Sequence, residues 1–183
     1  MIHYYLAVCK GFWEMHRGFT LLEMLITIAL LSVVLAFSVP SFKSLTENHQ
    51  IKSLADELQG FMLQAKSEAV FRNQDLWVHL VMDSNPSSTG KWKILLKDSD
   101  DVSAGTTLLQ LNGQAFRNIW IYSEFSSDQV KFDGVRGKVK NGSLYFYSAS
   151  DSRKKLKLST SFGASRIIIC GQQGAYYGYP QCK

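Results

Sequence analysis

The chain has 183 residues, 46% apolar and 19% charged, an ordinary balance for one globular core once a single apolar segment near the N-terminus is set aside. No internal repeat or low-complexity tract appears, which excludes a solenoid or a disordered linker. The net charge of +5 is modest and its signs are interspersed, so charge alone does not separate solubility or a weak anionic preference from nucleic-acid binding.

Residues 19–39 contain one ionisable side chain, Glu23. At 1.5 Å of rise per residue they make a helix of about 31 Å, the thickness of a bilayer core. Lys10 and Arg17 precede this stretch and the next basic residue is Lys43, which places the N-terminus in the cytoplasm and exports the residues after Pro40. A carboxylate inside such a span costs about 2.5 to 3.5 kcal/mol at the bilayer centre, so Glu23 needs a reason. A cleaved secretory signal is one reading, since Ala36 and Ser38 flank Phe37 as signal peptidase requires. A plain transmembrane anchor is another, although it would have no use for Glu23. The third reading makes the acid purposeful.

The residues Arg17-Gly18-Phe19-Thr20-Leu21-Leu22-Glu23 resemble the prepilin cleavage and methylation motif of type IV pilins and type II secretion pseudopilins. The resemblance implies a prepilin peptidase that cuts between Gly18 and Phe19 and methylates the new amine of Phe19. Residues 1–18 are then a leader, and 19–40 a transmembrane and assembly helix. It further implies that Glu23 pairs with the N-terminal amine of a neighbouring subunit. Two desolvated charges in hydrocarbon attract strongly and each is costly alone, so the pair would set register. A carboxylate snorkelling to the cytoplasmic headgroups is the competing account. Pro40 falls at the twenty-second mature position, where many type IV pilins carry a proline, and a missing donor there predicts a helix kink or local melting.

From residue 41 to 73 the apolar positions Ile51, Leu54, Ala55, Leu58, Phe61, Met62, Ala65 and Ala69 recur at three- and four-residue steps, the core-facing stripe of an amphipathic continuation. Asn73 is the expected terminator, and Glu68 and Arg72, four residues apart, read either as a surface helix pair or as an assembly contact. Residues 74–183 change to a period of two, with strands expected at 76–82, 91–96, 119–122, 130–132, 144–147, 156–158 and 166–169. The turn-rich pieces 83–90 and 140–143 read as antiparallel hairpins. The fold class is therefore α+β, a long N-terminal helix packed on an antiparallel β domain. The stretch from Ser67 to Asn73, Val130-Lys131-Phe132-Asp133-Gly134 and Arg166-Ile167-Ile168-Ile169 resemble the GspH/FimT branch of minor pilins and pseudopilins.

With the leader removed as the resemblance implies, Cys9 is lost, and Cys170 and Cys182 remain in an oxidising compartment. A disulfide between them closes a C-terminal loop and is worth about 3 kcal/mol on the loop-entropy model; two unpaired thiols are the alternative. Loss of the leader also removes His3 and His16. His49 reads as a solvated helix residue and His79 as an outward strand residue, with no metal-ligand spacing and no nucleophile motif, so neither an enzyme nor a cofactor or metal is expected. Some FimT-like pilins carry a glycine-arginine-x-arginine pattern linked to DNA uptake, and this chain has Gly171-Gln172-Gln173-Gly174 instead. Arg153, Lys154, Lys155 and Lys157 in a hairpin, with Tyr176, Tyr177 and Tyr179 in the C-terminal loop, are the candidates for DNA or partner contact. A solvated basic turn is the commoner meaning of such a run, which weighs against DNA.

These readings converge on a minor type IV pilin of the GspH/FimT type. Its rivals are an H-type pseudopilin of type II secretion and a membrane-anchored DNA-binding minor pilin. The expected partners are prepilin peptidase, other pilin or pseudopilin subunits and the inner membrane. The expected location is a single pass through that membrane with the C-terminal domain in the periplasm, and then a cell-surface pilus or a periplasmic pseudopilus.

Overall fold

The computed structural model describes residues 18–183, and within its helix the side chains of residues 37–41 and 43 lie outside that description. The expected leader, with Cys9, His3, His16 and Arg17, falls outside the described residues except for Gly18. The chain divides into two compact units, Met1–Phe42 and Lys43–Lys183.

One helix, α1 (Leu21–Arg72), opens the structure. Thr20 caps it: its Oγ1 accepts the Glu23 amide at 3.1 Å, which satisfies one of the orphan donors of the first turn. The helix stops where Asn73 takes a positive φ of 51° and its amide donates to Val70 O at 3.1 Å, a left-handed ending that asparagine tolerates. Arg72 Nε donates to Glu68 Oε1 at 2.6 Å, one turn back. The helix is unbroken across Pro40, so the local melting expected there does not occur. A proline removes one donor and crowds one carbonyl, a cost of about 3 kcal/mol, and here helical turns continue on both sides of it.

Within the first unit every described side chain is exposed, Phe19 by 74% and Leu21 by 80%. Among the described residues no helix is long and apolar enough to cross a membrane. The described apolar run of α1, residues 21–36, reaches only about 24 Å, and the residues that would complete the expected span, 37–40, are those whose side chains lie outside the description.

The second unit holds eight strands, β1 (Leu76–Met82), β2 (Trp92–Lys97), β3 (Thr107–Asn112), β4 (Ile119–Ser123), β5 (Gln129–Phe132), β6 (Gly142–Ser148), β7 (Leu156–Ser161) and β8 (Arg166–Gly171). They form two four-stranded antiparallel sheets, ordered β3-β2-β1-β5 and β4-β6-β7-β8. Alternate residues of both sheets turn inward and meet the helix stripe in one core. Ile51, Leu54, Leu58 and Met62 of α1 share it with Val78, Ile94 and Phe132 of the first sheet and Ile121, Phe146 and Leu158 of the second. All eight stripe residues named from the periodicity are buried.

Three local expectations are corrected. β3 is a strand that the period-two pattern does not reveal. It is an edge strand whose Leu109 and Leu111 pair with Leu96 and Ile94, and the adjacent leucines Leu108 and Leu109 break the strict alternation that marks a half-buried strand. Residues 140–143 do not close a hairpin, because β5 and β6 belong to different sheets. The local pairing is Phe132 with Val139, a small ribbon before the chain crosses over. His79 lies on the sheet face opposite the core-facing Val78 and Leu80, as expected of an outward residue, yet it is buried. The β2–β3 loop folds back over that face, where Ser99 O lies 2.9 Å from His79 Nε2 and Val102 O accepts Lys97 Nζ at 2.7 Å.

Candidate functional site

Two regions carry the residues singled out by sequence. At the N-terminus, Gly18, Phe19 and Glu23 are exposed, and a Cβ at Gly18 would meet nothing within 4 Å. Thr20 and Glu23 stand in the Thr-x-x-Glu spacing of a capping box, a signal that the sequence carries in addition to the cleavage motif. It gives Glu23 a local role at the positive end of the helix dipole besides any role between subunits.

The second region is the C-terminal loop against the basic hairpin. Cys170 and Cys182 are joined, with Cα atoms 5.0 Å apart. The closed loop is fastened to the end of β8 by Gly171 N donating to Pro180 O at 2.8 Å and Cys182 N to Gly171 O at 2.9 Å. Its three tyrosines are half-buried and pack against the core. Tyr179 reaches α1, where its hydroxyl donates to Asp56 Oδ1 at 2.6 Å. Burial, and then that bond, push its phenol up to about 12. Burial also pushes the Tyr177 phenol up, helped by the charges of Asp151 and Glu47. Tyr176 and Tyr179 exchange backbone hydrogen bonds across the tip.

The cations of the β6–β7 hairpin are engaged by their own surroundings. Asp151 pairs with Arg153 Nε at 3.4 Å and Lys154 Nζ at 3.3 Å. The Arg153 backbone amide is the main cause of its lowered carboxyl pKa. Lys155 lies over the Tyr147 ring at 4.9 Å and Lys157 over Tyr145 at 5.5 Å. Glu47 on α1 accepts the hydroxyls of Ser148 and Ser150, tying the hairpin to the same stretch of helix. The structure thus brings the tyrosines and the hairpin onto residues 47–56 of α1 as a clamp. Tyr176 and Tyr177 also line an open cleft of about 600 Å³ with His49, Lys52 and Lys154. His49 is exposed on α1, and among the described residues no group of His, Cys, Asp and Glu side chains could hold a metal ion.

A family model described as type II transport protein GspH matches residues 54–163, more than half of the chain. A second, described as a prokaryotic N-terminal methylation motif, matches residues 15–39. No curated protein matches the chain. Among solved structures, the type IV minor pilin FimU of Pseudomonas aeruginosa PAO1 is similar in two crystal forms. One has a TM-score of 0.56 at 20% identity over 72% of this chain and 99% of FimU. The other has 0.54 at 19% over 68% and 99%. The minor pseudopilin EpsH of Vibrio cholerae aligns with a TM-score of 0.48 at 12% identity, over 66% of this chain and 95% of EpsH. With a methylation motif ahead of a pilin fold, and more than half of its length within the family model, the chain belongs to the GspH family of minor pilins and pseudopilins.

Proposed function

We propose that the chain is a minor pilin that joins or primes a type IV pilus. Prepilin peptidase cuts it between Gly18 and Phe19 and methylates Phe19. Residues 19–40 hold it in the inner membrane, and residues 41–183 stand in the periplasm, with 74–183 as the β domain and its disulfide loop. It catalyses no reaction and carries no cofactor. The observation that supports this most is the methylation motif over residues 15–39, on a helix whose apolar side chains Phe19, Leu21, Leu22, Leu25 and Ile28 are exposed. Such a surface calls for lipid or other helices around it. Glu23, the one acid on that surface, then serves subunit register. A pseudopilin is the second reading, favoured by the description of the matched family as a type II transport protein. DNA binding through the 153–157 hairpin is less supported, since its four cations already face Asp151, Tyr147 and Tyr145.

The test is Glu23→Ala in cells. The variant should be inserted and processed as the parent is, yet recovered in sheared filaments at a small fraction of the parental level. Parental recovery would contradict the register role, and a parent chain absent from pili but required for protein secretion would favour the pseudopilin.

A further inference from the structure

The two sheets have four edges, and chain from outside the sheet bonds to three of them. Beside β4, Ser87 N donates to Ile121 O at 3.0 Å and Ile121 N to Ser87 O at 2.8 Å. Beside β5, Lys140 N donates to Lys131 O at 3.0 Å, and Gly171 of β8 is bonded to Pro180 and Cys182. The outer edge of β3 has no such cover. Among the described residues no backbone group from Thr107 to Asn112 is bonded to anything beyond the ladder with β2.

A bare row of N–H and C=O groups templates another strand, so native edges are blunted by charge, proline, a bulge or a covering segment. On β3 only the bulge is present. Leu96 faces Leu109 and Lys97 faces Thr107, which makes Leu108 the extra residue. The bulge sits at the start of the strand and leaves Leu109 to Asn112 in regular register with β2. From Val102 to Phe116 the chain carries no charged residue and no proline. The nearest cations on the sheet, Lys93 and Lys97, belong to β2, one strand further in, opposite Asn112 and Thr107.

We propose that this edge pairs with the same edge of a second copy of the chain, antiparallel about a twofold axis through Gln110. Facing residues of antiparallel strands lie on the same side of a sheet. About that axis the exposed Gln110 meets Gln110 of the copy. Leu109 and Leu111, which pack against the core, meet Leu111 and Leu109 of the copy. A charge near the axis would meet its own like charge, so a strand that pairs with itself has to be neutral there. A strand built for a different partner is free to carry charge and have it answered. An axis one residue to either side would draw the bulge at Leu108 or the 3-10 helix at Gly113–Phe116 into the ladder. A twofold pair closes on itself, whereas filament subunits repeat head to tail, so the inference does not rest on the proposed filament role.

The test is oxidative cross-linking of the full chain in detergent micelles, with Cys9→Ser in every variant so that this thiol cannot react. Gln110→Cys puts two thiols across the axis, where facing Cα atoms are about 4.5 to 5.5 Å apart and within reach of a disulfide. Thr107→Cys, also exposed on β3, puts its two thiols about 20 Å apart by strand rise. The first should form a disulfide-linked dimer at least about tenfold faster than the second. Gln110→Lys mixed with Gln110→Glu should associate at least about threefold more tightly than either variant with itself. Equal cross-linking rates for the two cysteine variants, or a mixture that associates no better than its parts, would overturn the proposal. So would a Gln110→Cys adduct to a different protein, in place of the dimer, in membranes of cells that make the chain. A chain found in filaments without the cross-link would refute the edge pair alone, and a cross-linked dimer of a chain that never enters filaments would refute the filament role alone.

Discussion

Removing one oxygen, in Tyr179→Phe, tests whether the C-terminal loop is a clamp on α1. The Tyr179 hydroxyl donates to Asp56 Oδ1 at 2.6 Å, and its phenol is pushed up to about 12 from an ordinary 10.0. Burial, the first cause of that shift, penalises the phenolate and adds nothing to the bond of the neutral hydroxyl. A hydrogen bond to a charged acceptor is worth about 1.5 to 3 kcal/mol, and solvent screening at the half-buried Tyr179 reduces this to about 1 kcal/mol. Because the folded pKa lies above the unfolded one, this stabilisation is complete below pH 10 and is lost as pH rises towards about 12. Urea denaturation of the full chain in detergent micelles, monitored by tryptophan fluorescence, reads the difference. The phenylalanine variant should be less stable by about 1 kcal/mol at neutral pH, with the gap closing between pH 10 and 12. Equal stability at neutral pH, or a gap that does not change with pH, would refute the role given to the Tyr179–Asp56 bond.

Replacing Cys170 and Cys182 together by alanine should cost about 3 kcal/mol by freeing the loop entropy of the unfolded chain, and an unchanged denaturation midpoint would contradict this. Gly113→Ala should destabilise by about 1 to 3 kcal/mol, since the new methyl overlaps the Trp92 ring. Gly163→Ala, which meets nothing within 4 Å, should stay within about 0.5 kcal/mol of the parent. Leu58→Ala, at the centre of the buried stripe, should cost about 2 to 5 kcal/mol in the same assay.

The helix was legible because a 3.6-residue period is a local property: the spacing from Ile51 to Ala69 names the buried face without knowledge of what covers it. Strands β1, β2 and β4 to β8 were legible for the same reason, through inward residues such as Val78, Ile94, Phe146 and Ile169. Their division into two sheets was not, because a turn sequence such as Lys140-Asn141-Gly142-Ser143 does not record whether the next strand pairs with the last or crosses to another layer. His79 shows the same limit. The period fixes its face, while its burial depends on a loop twenty residues away that folds over it. For the site, the Gly18-Phe19-Glu23 motif was readable as a contiguous signature. The fates of Arg153, Lys154, Lys155 and Lys157 were not, since the partners Tyr145 and Tyr147 come from the neighbouring strand.

The mass of the N-terminal peptide tests the central claim most directly. Isolated from membranes of cells that contain the prepilin peptidase, the mature chain should begin at Phe19 and carry one methyl group on its amine. A mature N-terminus at Val39, after the Ala36-Phe37-Ser38 sequence, would make it a secreted protein with a cleaved signal, and an intact Met1 would show that no processing occurs.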